Sequence, residues 1–151
     1  MNSKVFIIGS ATLVILIMAG YFITNPSYQK SIQAKYYYNT GEYDEALSLA
    51  KEAFNMDLYN RMAATIMTQS KASLKYVSYN RDAKKYMNSI NEIASHEIIS
   101  GADKAKIRMI CEIMTGSYKK LAPSVITDKE LVKESALYYT KFEKLLEKVK
   151  R

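Results

Sequence analysis

Hydrophobic and polar positions follow two different patterns along the chain, and the change between them falls near residue 25. Residues 5–23 form an uninterrupted apolar run without a charged side chain, and a helix of that length just spans the hydrocarbon core of a bilayer. From residue 26 onward, apolar residues recur at steps of three and four, which indicates amphipathic helices. The pattern predicts a transmembrane signal-anchor over 1–25 and a helical domain over 26–151.

The apolar run has a competing interpretation as a signal peptide that is cleaved after a small residue such as Ala19 or Gly20. It is long for a signal peptide, and no Ala-x-Ala site follows it, so a retained single-pass anchor is favoured. Lys4 in the short leader favours an amino end in the cytoplasm. We therefore expect the helical domain on the extracytoplasmic side of the membrane, which is the periplasmic side in a Gram-negative bacterium.

Residues 34–53 predict two short helices that are joined by a tight corner. Asn39-Thr40-Gly41 interrupts the first helix, and Gly41 can adopt the positive φ that such corners need. Small and large residues share one face at helical spacing, namely Ala34, Tyr37, Tyr43, Ala46, Leu47, Ala50, Ala53 and Phe54. Small side chains allow two backbones to approach closely while the large ones fill the space around them, so the stretch predicts a helical hairpin.

This hairpin resembles the tetratricopeptide (TPR) repeat, a unit of about 34 residues. The positions that match the spacing of that family lie within residues 27–60 and are Ala34, Tyr37, Gly41, Tyr43, Ala46 and Ala53. The departures are Lys30 in place of Trp, Gln33 in place of Leu, Ala50 in place of an aromatic residue and Leu58 in place of Pro. An unrelated αα-hairpin is the alternative, because helix packing selects the same small and large residues.

Start and stop signals divide the helical domain into six helices. Ser27, which follows Asn25-Pro26, is expected to cap the first helix. The first four helices are predicted over 27–40, 43–56, 59–76 and 81–95, with a corner over 77–80. Ser100 is expected to cap a fifth helix that ends before Pro123, and a sixth helix follows from about residue 127.

These elements predict an all-α fold, in which a single transmembrane helix is followed by a TPR-like, right-handed stack of about three helical hairpins. The pair over 59–95 is a degenerate copy of the first hairpin, with Ala83 in the role of Ala46. The composition agrees with a helical class, because the chain has two prolines and five glycines and no β-type alternation.

The net charge and the small number of reactive residues restrict the functions that the sequence predicts. The formal net charge of +7 is spread thinly, since lysines alternate with acids along most of the chain, which is typical of a solvated surface. A single cysteine excludes an intramolecular disulfide and a cysteine-based zinc cluster. His96 follows a helix end and Cys111 lies on an apolar stripe, so neither indicates catalysis. The sequence therefore predicts no enzyme activity, no cofactor and no metal site.

Recognition of other proteins is the function that remains. In the family that the hairpin resembles, the first helices of successive hairpins line a concave groove that holds an extended peptide or a partner helix. The resemblance implies a groove face from Tyr28, Ser31, Lys35, Tyr38 and Asn39 on the first helix and from Thr68, Ala72, Lys75 and Tyr76 on the third. Tyrosine rings beside ammonium groups favour partners that mix apolar and acidic residues.

The predicted function is a membrane-anchored, non-enzymatic adaptor or assembly factor for other proteins. The clamp that some TPR proteins use for a terminal carboxylate is not reproduced, because Ser31 and Lys35 stand where Lys and Asn are expected. The main alternative is a structural subunit of a large membrane or cell-envelope complex for secretion, motility or respiration. A basic nucleic-acid-binding module is less favoured. Neither nucleic acid nor a small-molecule substrate is expected as a partner.

Overall fold

A computed structural model describes residues 3–122 and 127–150 of the chain. They form six helices and no strand: α1 (Ser3–Thr24), α2 (Pro26–Thr40), α3 (Tyr43–Met56), α4 (Arg61–Ala94), α5 (Gly101–Lys119) and α6 (Lys129–Lys150). The all-α class is confirmed for this part of the chain. Pro123 and the side chain of Lys4, on which the expected orientation depends, lie outside the described residues. The chain divides into two compact units, 1–71 and 72–151.

Helix α1 belongs to the first unit and is apolar on all sides. From Phe6 to Thr24 its mean hydropathy is 2.3, and none of this stretch is buried within the protein. The hydroxyls of Ser10 and Thr12 donate to carbonyls of the preceding turn, which satisfies them without water. The 22 residues of α1 rise about 33 Å, against a hydrocarbon core of about 30 Å. Within the residues that the structure describes, one helix, at the N-terminus, is thus long and apolar enough to cross a membrane.

A single non-helical residue, Asn25, separates α1 from α2. Its backbone is extended, and its side chain accepts a hydrogen bond from the backbone N–H of Ser27 at 2.9 Å. The prediction of Ser27 as the cap is wrong, because Pro26 occupies the first helical position. Proline lacks an N–H and has a φ suited to that position, so the preceding residue becomes the cap. Ser27 lies inside α2, where its buried hydroxyl donates to the Ala53 carbonyl at 2.8 Å.

The predicted helical hairpin over 34–53 is confirmed as the packed pair α2 and α3. Gly41 ends α2 with φ of 86°. The Glu42 N–H donates to the Tyr37 carbonyl at 2.9 Å and the Gly41 N–H donates to the Tyr38 carbonyl at 3.2 Å, which is a Schellman motif. The four alanines at the helix contact are fully buried, namely Ala34, Ala46, Ala50 and Ala53. Close approach of the two backbones follows from these small side chains.

The predicted corner over 77–80 is wrong, because residues 61–94 form one continuous helix, α4. The segment Val77-Ser78-Tyr79-Asn80 contains neither glycine nor proline, and its residues are only moderate helix formers that buried contacts can hold in a helix. Tyr79 and Asn80 are 5% and 6% exposed. The predicted hairpin over 59–95 is therefore absent, and the described residues contain two packed helix pairs in the helical domain, α2 with α3 and α5 with α6.

The second unit has its own apolar core. It is formed by Tyr79, Ala83, Ile90 and Ile93 of α4, by Ile107, Ile110, Cys111 and Met114 of α5, and by Phe142 of α6. Asn80 links α4 to α6, since its side-chain amide donates to Glu134 at 2.9 Å and its oxygen accepts from the Ser135 hydroxyl. The predicted cap of α5 is confirmed, because Ser100 and Asp103 form a reciprocal capping box.

Candidate partner-binding groove

The junction of α2, α3 and α4 in the first unit is built around the fully buried side chain of Asn60. Its Nδ2 donates to the hydroxyls of Ser27 and Ser31, both at 2.8 Å, and its Oδ1 accepts from the Ala63 N–H at 3.0 Å. Asn60 therefore caps α4 and attaches it to α2 at the same time. Each of its hydrogen-bonding groups is satisfied, as burial of a polar side chain requires.

The prediction that Ser31 faces a partner is wrong. Ser31 is fully buried, donates to the Ser27 carbonyl at 3.0 Å and accepts from Asn60. It lies one turn after Ser27 on the face of α2 that packs inside the unit. A small hydroxyl is suited to that position because it fits beside a neighbouring helix and bonds within its own helix.

A groove with a volume of about 420 Å³ lies between α2 and the beginning of α4. We call it the α2–α4 groove, and it is lined by Lys35, Tyr38, Asn39, Arg61, Met62, Thr65, Ile66 and Gln69. Ile66 is 3% exposed and forms the apolar base together with the half-buried Met62. Tyr38 is half-buried and packs edge-to-face on Tyr43, with ring centroids 5.3 Å apart. The groove thus combines an apolar base with polar rims.

Two cations line this groove from different helices. Lys35 on α2 and Arg61 on α4 are both exposed, and neither forms an ion pair with any residue that the structure describes. Lys30, by contrast, is bound to Glu52 at 2.6 Å. All eight lining residues lack a carboxylate, so no acid among them neutralises the positive charge of Lys35 and Arg61.

Three of the residues predicted for partner binding, Lys35, Tyr38 and Asn39, are brought together in the α2–α4 groove. Tyr28 lies elsewhere in the first unit, where it packs edge-to-face on Phe22 with ring centroids 4.7 Å apart. It therefore belongs to the junction of α1 and α2.

Four groove residues were predicted on the third helix. Thr68 lies in the first unit outside the α2–α4 groove, where its hydroxyl donates to the Ala64 carbonyl at 2.9 Å, and Ala72, Lys75 and Tyr76 lie in the second unit. Lys75 is exposed and lines a cavity of about 270 Å³ with Tyr79 and Asp82. Tyr76 is 2% exposed, so the prediction that it contacts a partner is wrong. Its hydroxyl has no hydrogen-bond partner among the described residues. The pKa of this hydroxyl is raised, mainly by burial and to a smaller extent by the nearby Tyr118. A side chain covered by its own chain offers no contact area to another protein.

Sequence reasoning missed the α4 side of the groove, which is formed by Arg61, Thr65 and Gln69. These residues recur at steps of four, so they form one polar stripe on the first turns of the helix. Their four-residue spacing is the feature of the sequence that could have located this side of the groove. The resemblance to a repeat instead placed the groove face on other positions of the helix, namely Thr68, Ala72, Lys75 and Tyr76.

Cys111 and His96 are the single cysteine and the single histidine of the chain, and their surroundings do not indicate catalysis. Cys111 is fully buried. Its burial, and to a smaller extent the adjacent Glu112, raise the pKa of the thiol to about 11. The thiol is therefore protonated at neutral pH. His96 is exposed in the connection after α4. Among the described residues, no group of three or more His, Cys, Asp or Glu side chains could hold a metal ion.

Comparisons of the chain with protein-family models, curated proteins and solved structures found no match. The geometry of α1 and of the α2–α4 groove is therefore the basis for a function.

Proposed function

We propose that the chain is a single-pass, membrane-anchored adaptor or assembly factor whose α2–α4 groove binds an acidic segment of a partner protein. The observation that carries the proposal is that two cations, Lys35 and Arg61, line one groove with an apolar base and form no ion pair within the described part of the chain. Helix α1 acts as the anchor. The adaptor has no catalytic activity of its own.

The chemistry of the groove favours a segment with both acidic and apolar side chains. A carboxylate placed near Lys35 and Arg61 gains charge-assisted hydrogen bonds, which contribute about 0.2–1 kcal/mol each because both cations are exposed to solvent. A neighbouring apolar side chain can cover Met62 and Ile66, and the Asn39 amide can bond a peptide group. Attachment to a membrane raises the effective concentration of partners in the same membrane, so a modest groove affinity is sufficient.

We infer two further points about the arrangement. The α2–α3 hairpin is a single TPR-like unit, which the Schellman corner at Gly41 and the buried alanines at the helix contact support. The helical domain lies outside the cytoplasm, which Lys4 in the leader supports.

Binding of a defined peptide tests the groove. The probe is a fluorescent peptide of alternating glutamate and leucine, titrated against the full chain in detergent micelles. Lys35→Glu combined with Arg61→Glu is expected to weaken binding by at least about tenfold, which corresponds to about 1.4 kcal/mol. Added salt is expected to weaken binding to the unmodified chain.

The matched control is Lys51→Glu, an exposed lysine of α3 outside the groove, which is expected to leave the affinity unchanged. Equal affinity of the double variant and the unmodified chain would contradict the proposal. A lysine–leucine version of the peptide with an amidated carboxyl terminus, which lacks carboxylates, is expected not to bind.

A second candidate function is a structural subunit of a large membrane or envelope complex. Exposed apolar side chains in the second unit favour it: Met109 and Ile113, one turn apart on α5, are 55% and 49% exposed, and Leu137 on α6 is 56% exposed. Such surfaces are often covered in assemblies.

Detergent extraction from the native membrane followed by size-exclusion chromatography separates the candidates. A subunit migrates with a large complex, whereas an adaptor also migrates as a free small particle.

A further inference from the structure

The end of α3 and the loop that joins it to α4, residues 56–60, which we call the α3–α4 loop, expose three large apolar side chains in the first unit. Met56 is 55% exposed, Leu58 is 67% exposed and Tyr59 is 90% exposed. The loop has a defined shape, because the Asp57 side chain accepts from the Tyr59 N–H at 2.9 Å and the Asp57 carbonyl accepts from the Asn60 N–H at 3.1 Å. Its apolar side chains are therefore held outward by the turn and do not pack in the core of the unit.

This α3–α4 loop lies beside the carboxyl end of α1. Met56 and Asp57 line the same surface depression as Tyr21, Asn25 and Pro26. The hydrogen bond from the Ser27 hydroxyl to the carbonyl of Ala53 joins the end of α3 to the beginning of α2 at 2.8 Å. The hairpin therefore places the loop at the level of the last turn of α1.

We propose that the α3–α4 loop is a second membrane contact, in which Leu58 and Tyr59 enter the boundary between headgroups and acyl chains of the bilayer that α1 spans. The inference rests on the proposed function in one respect, the insertion of α1. The occupant is the lipid bilayer, because the exposed Met56 shares a surface depression with Tyr21 in the last turns of α1, and the exposed Leu58 and Tyr59 follow Met56 within three residues. Tyrosine is enriched at this depth, since its ring is apolar and its hydroxyl reaches water.

The second contact restricts the orientation of the hairpin. A single helix allows rotation about its own axis, whereas two separate contacts with one surface do not. Burial of Leu58 and of the Tyr59 ring in the interface is favourable in proportion to the apolar area removed from water. The bilayer thus holds the first unit in one orientation, which also fixes the direction in which the α2–α4 groove opens.

A tryptophan reporter tests the contact, because the natural chain contains no tryptophan. Tyr59→Trp in the full chain is reconstituted into phosphatidylcholine vesicles and titrated with brominated phosphatidylcholine, which quenches tryptophan within the bilayer. Tyr36→Trp is the matched control, because Tyr36 is 64% exposed in the same unit and lies ten residues into α2, about 15 Å along the helix. We expect a blue-shifted emission and several-fold stronger quenching for Tyr59→Trp, and the same for Leu58→Trp.

Flotation of the vesicles separates the possible failures. If the protein floats with the vesicles but the loop reporters are quenched no more than Tyr36→Trp, the loop contact is refuted and the anchor stands. If the protein stays in the aqueous fraction, the anchor is refuted and the loop contact with it. Stronger quenching of the Tyr59 and Leu58 reporters in floated vesicles supports both.

Discussion

Asn60 lies immediately before α4 with a side chain that uses both amide hydrogens and its oxygen within the protein. Ser27, one of its partners, in turn donates to the Ala53 carbonyl of α3. Together with Ser31, the other partner of Asn60, these polar side chains join three helices in a buried junction. Within a low-dielectric interior such a network specifies one arrangement, because any other leaves a polar group unpaired.

Asn60→Ala tests this network. The change removes the cap of α4 and leaves the Ala63 N–H unpaired, so we expect the free energy of unfolding to fall by about 1–3 kcal/mol. Urea unfolding of the full chain in detergent, followed by circular dichroism, measures the loss.

The control is Asn55→Ala on the exposed face of α3, which we expect to change stability by less than about 0.5 kcal/mol. If both variants unfold at the same urea concentration, Asn60 has no special role in the junction.

At the scale of elements, the continuity of α4 through residues 77–80 makes a clear prediction. Ser78→Pro removes a helical hydrogen bond and introduces a clash with the preceding turn, so we expect a loss of about 3 kcal/mol or more. Glu97→Pro, in the irregular connection after α4, is the control and is expected to be tolerated. Unfolding monitored by circular dichroism compares the two. Tolerance of proline at position 78 would instead support a corner there.

The first turn of α5 predicts a pH dependence. Asp103 accepts hydrogen bonds from the Ser100 hydroxyl at 2.7 Å and from the Ser100 N–H at 3.1 Å, and these bonds lower the pKa of its carboxyl below the ordinary value of 3.8. Because the folded pKa is the lower one, the stabilisation is complete above the ordinary value and is lost as the pH falls through the folded value.

Comparison of the unmodified chain with Asp103→Asn measures this effect. The asparagine variant is expected to be less stable at neutral pH, and the difference is expected to shrink as the solution is acidified below about pH 4. A stability difference that is independent of pH would show that the charge of Asp103 does not contribute.

Elements with local signals were predictable from the sequence. The bounds of α3, the positive φ of Gly41 and the capping box of Ser100 follow from side chains within a few residues of one another. The corner over 77–80 was predicted wrongly because the decisive contacts are distant: Asn80 bonds Glu134 and Ser135, 54 and 55 residues away. Helix propensity depends on the local sequence and carries no information about hydrogen bonds to residues so far along the chain.

The residues of the candidate site also divide into those that the sequence predicted and those that depend on contacts between distant parts of the chain. Lys35, Tyr38 and Asn39 were expected from the resemblance of the first hairpin to a repeat, and the structure brings them together. Arg61 and the burial of Ser31 depend on which face of α4 packs toward α2, and Asn60 determines that face. The sequence pattern of a single helix does not reveal the orientation of its neighbour.

At the scale of the whole molecule, Leu13→Arg tests the anchor. Leu13 lies near the middle of α1 and is 59% exposed, so in a bilayer it faces lipid. An arginine at the centre of a membrane helix costs about 2.5–3.5 kcal/mol on insertion scales. We expect a smaller fraction of the variant to resist extraction of membranes with alkaline carbonate.

Ile32→Arg is the matched control, because Ile32 is 58% exposed but lies on α2. It is expected to remain in the membrane fraction like the unmodified chain. If carbonate extracts the unmodified chain completely, α1 is not an integral anchor.

The single residue between α1 and α2 has a consequence for the choice of partner. Lys35 lies nine residues beyond Pro26, so its backbone is at most about 14 Å from the start of α2, whatever the tilt of that helix. An inserted α1 therefore keeps the basic side chain close to the lipid surface. For the groove that we propose, this position favours a partner whose acidic stretch directly flanks its own membrane span over one that carries its acidic stretch on a long stalk.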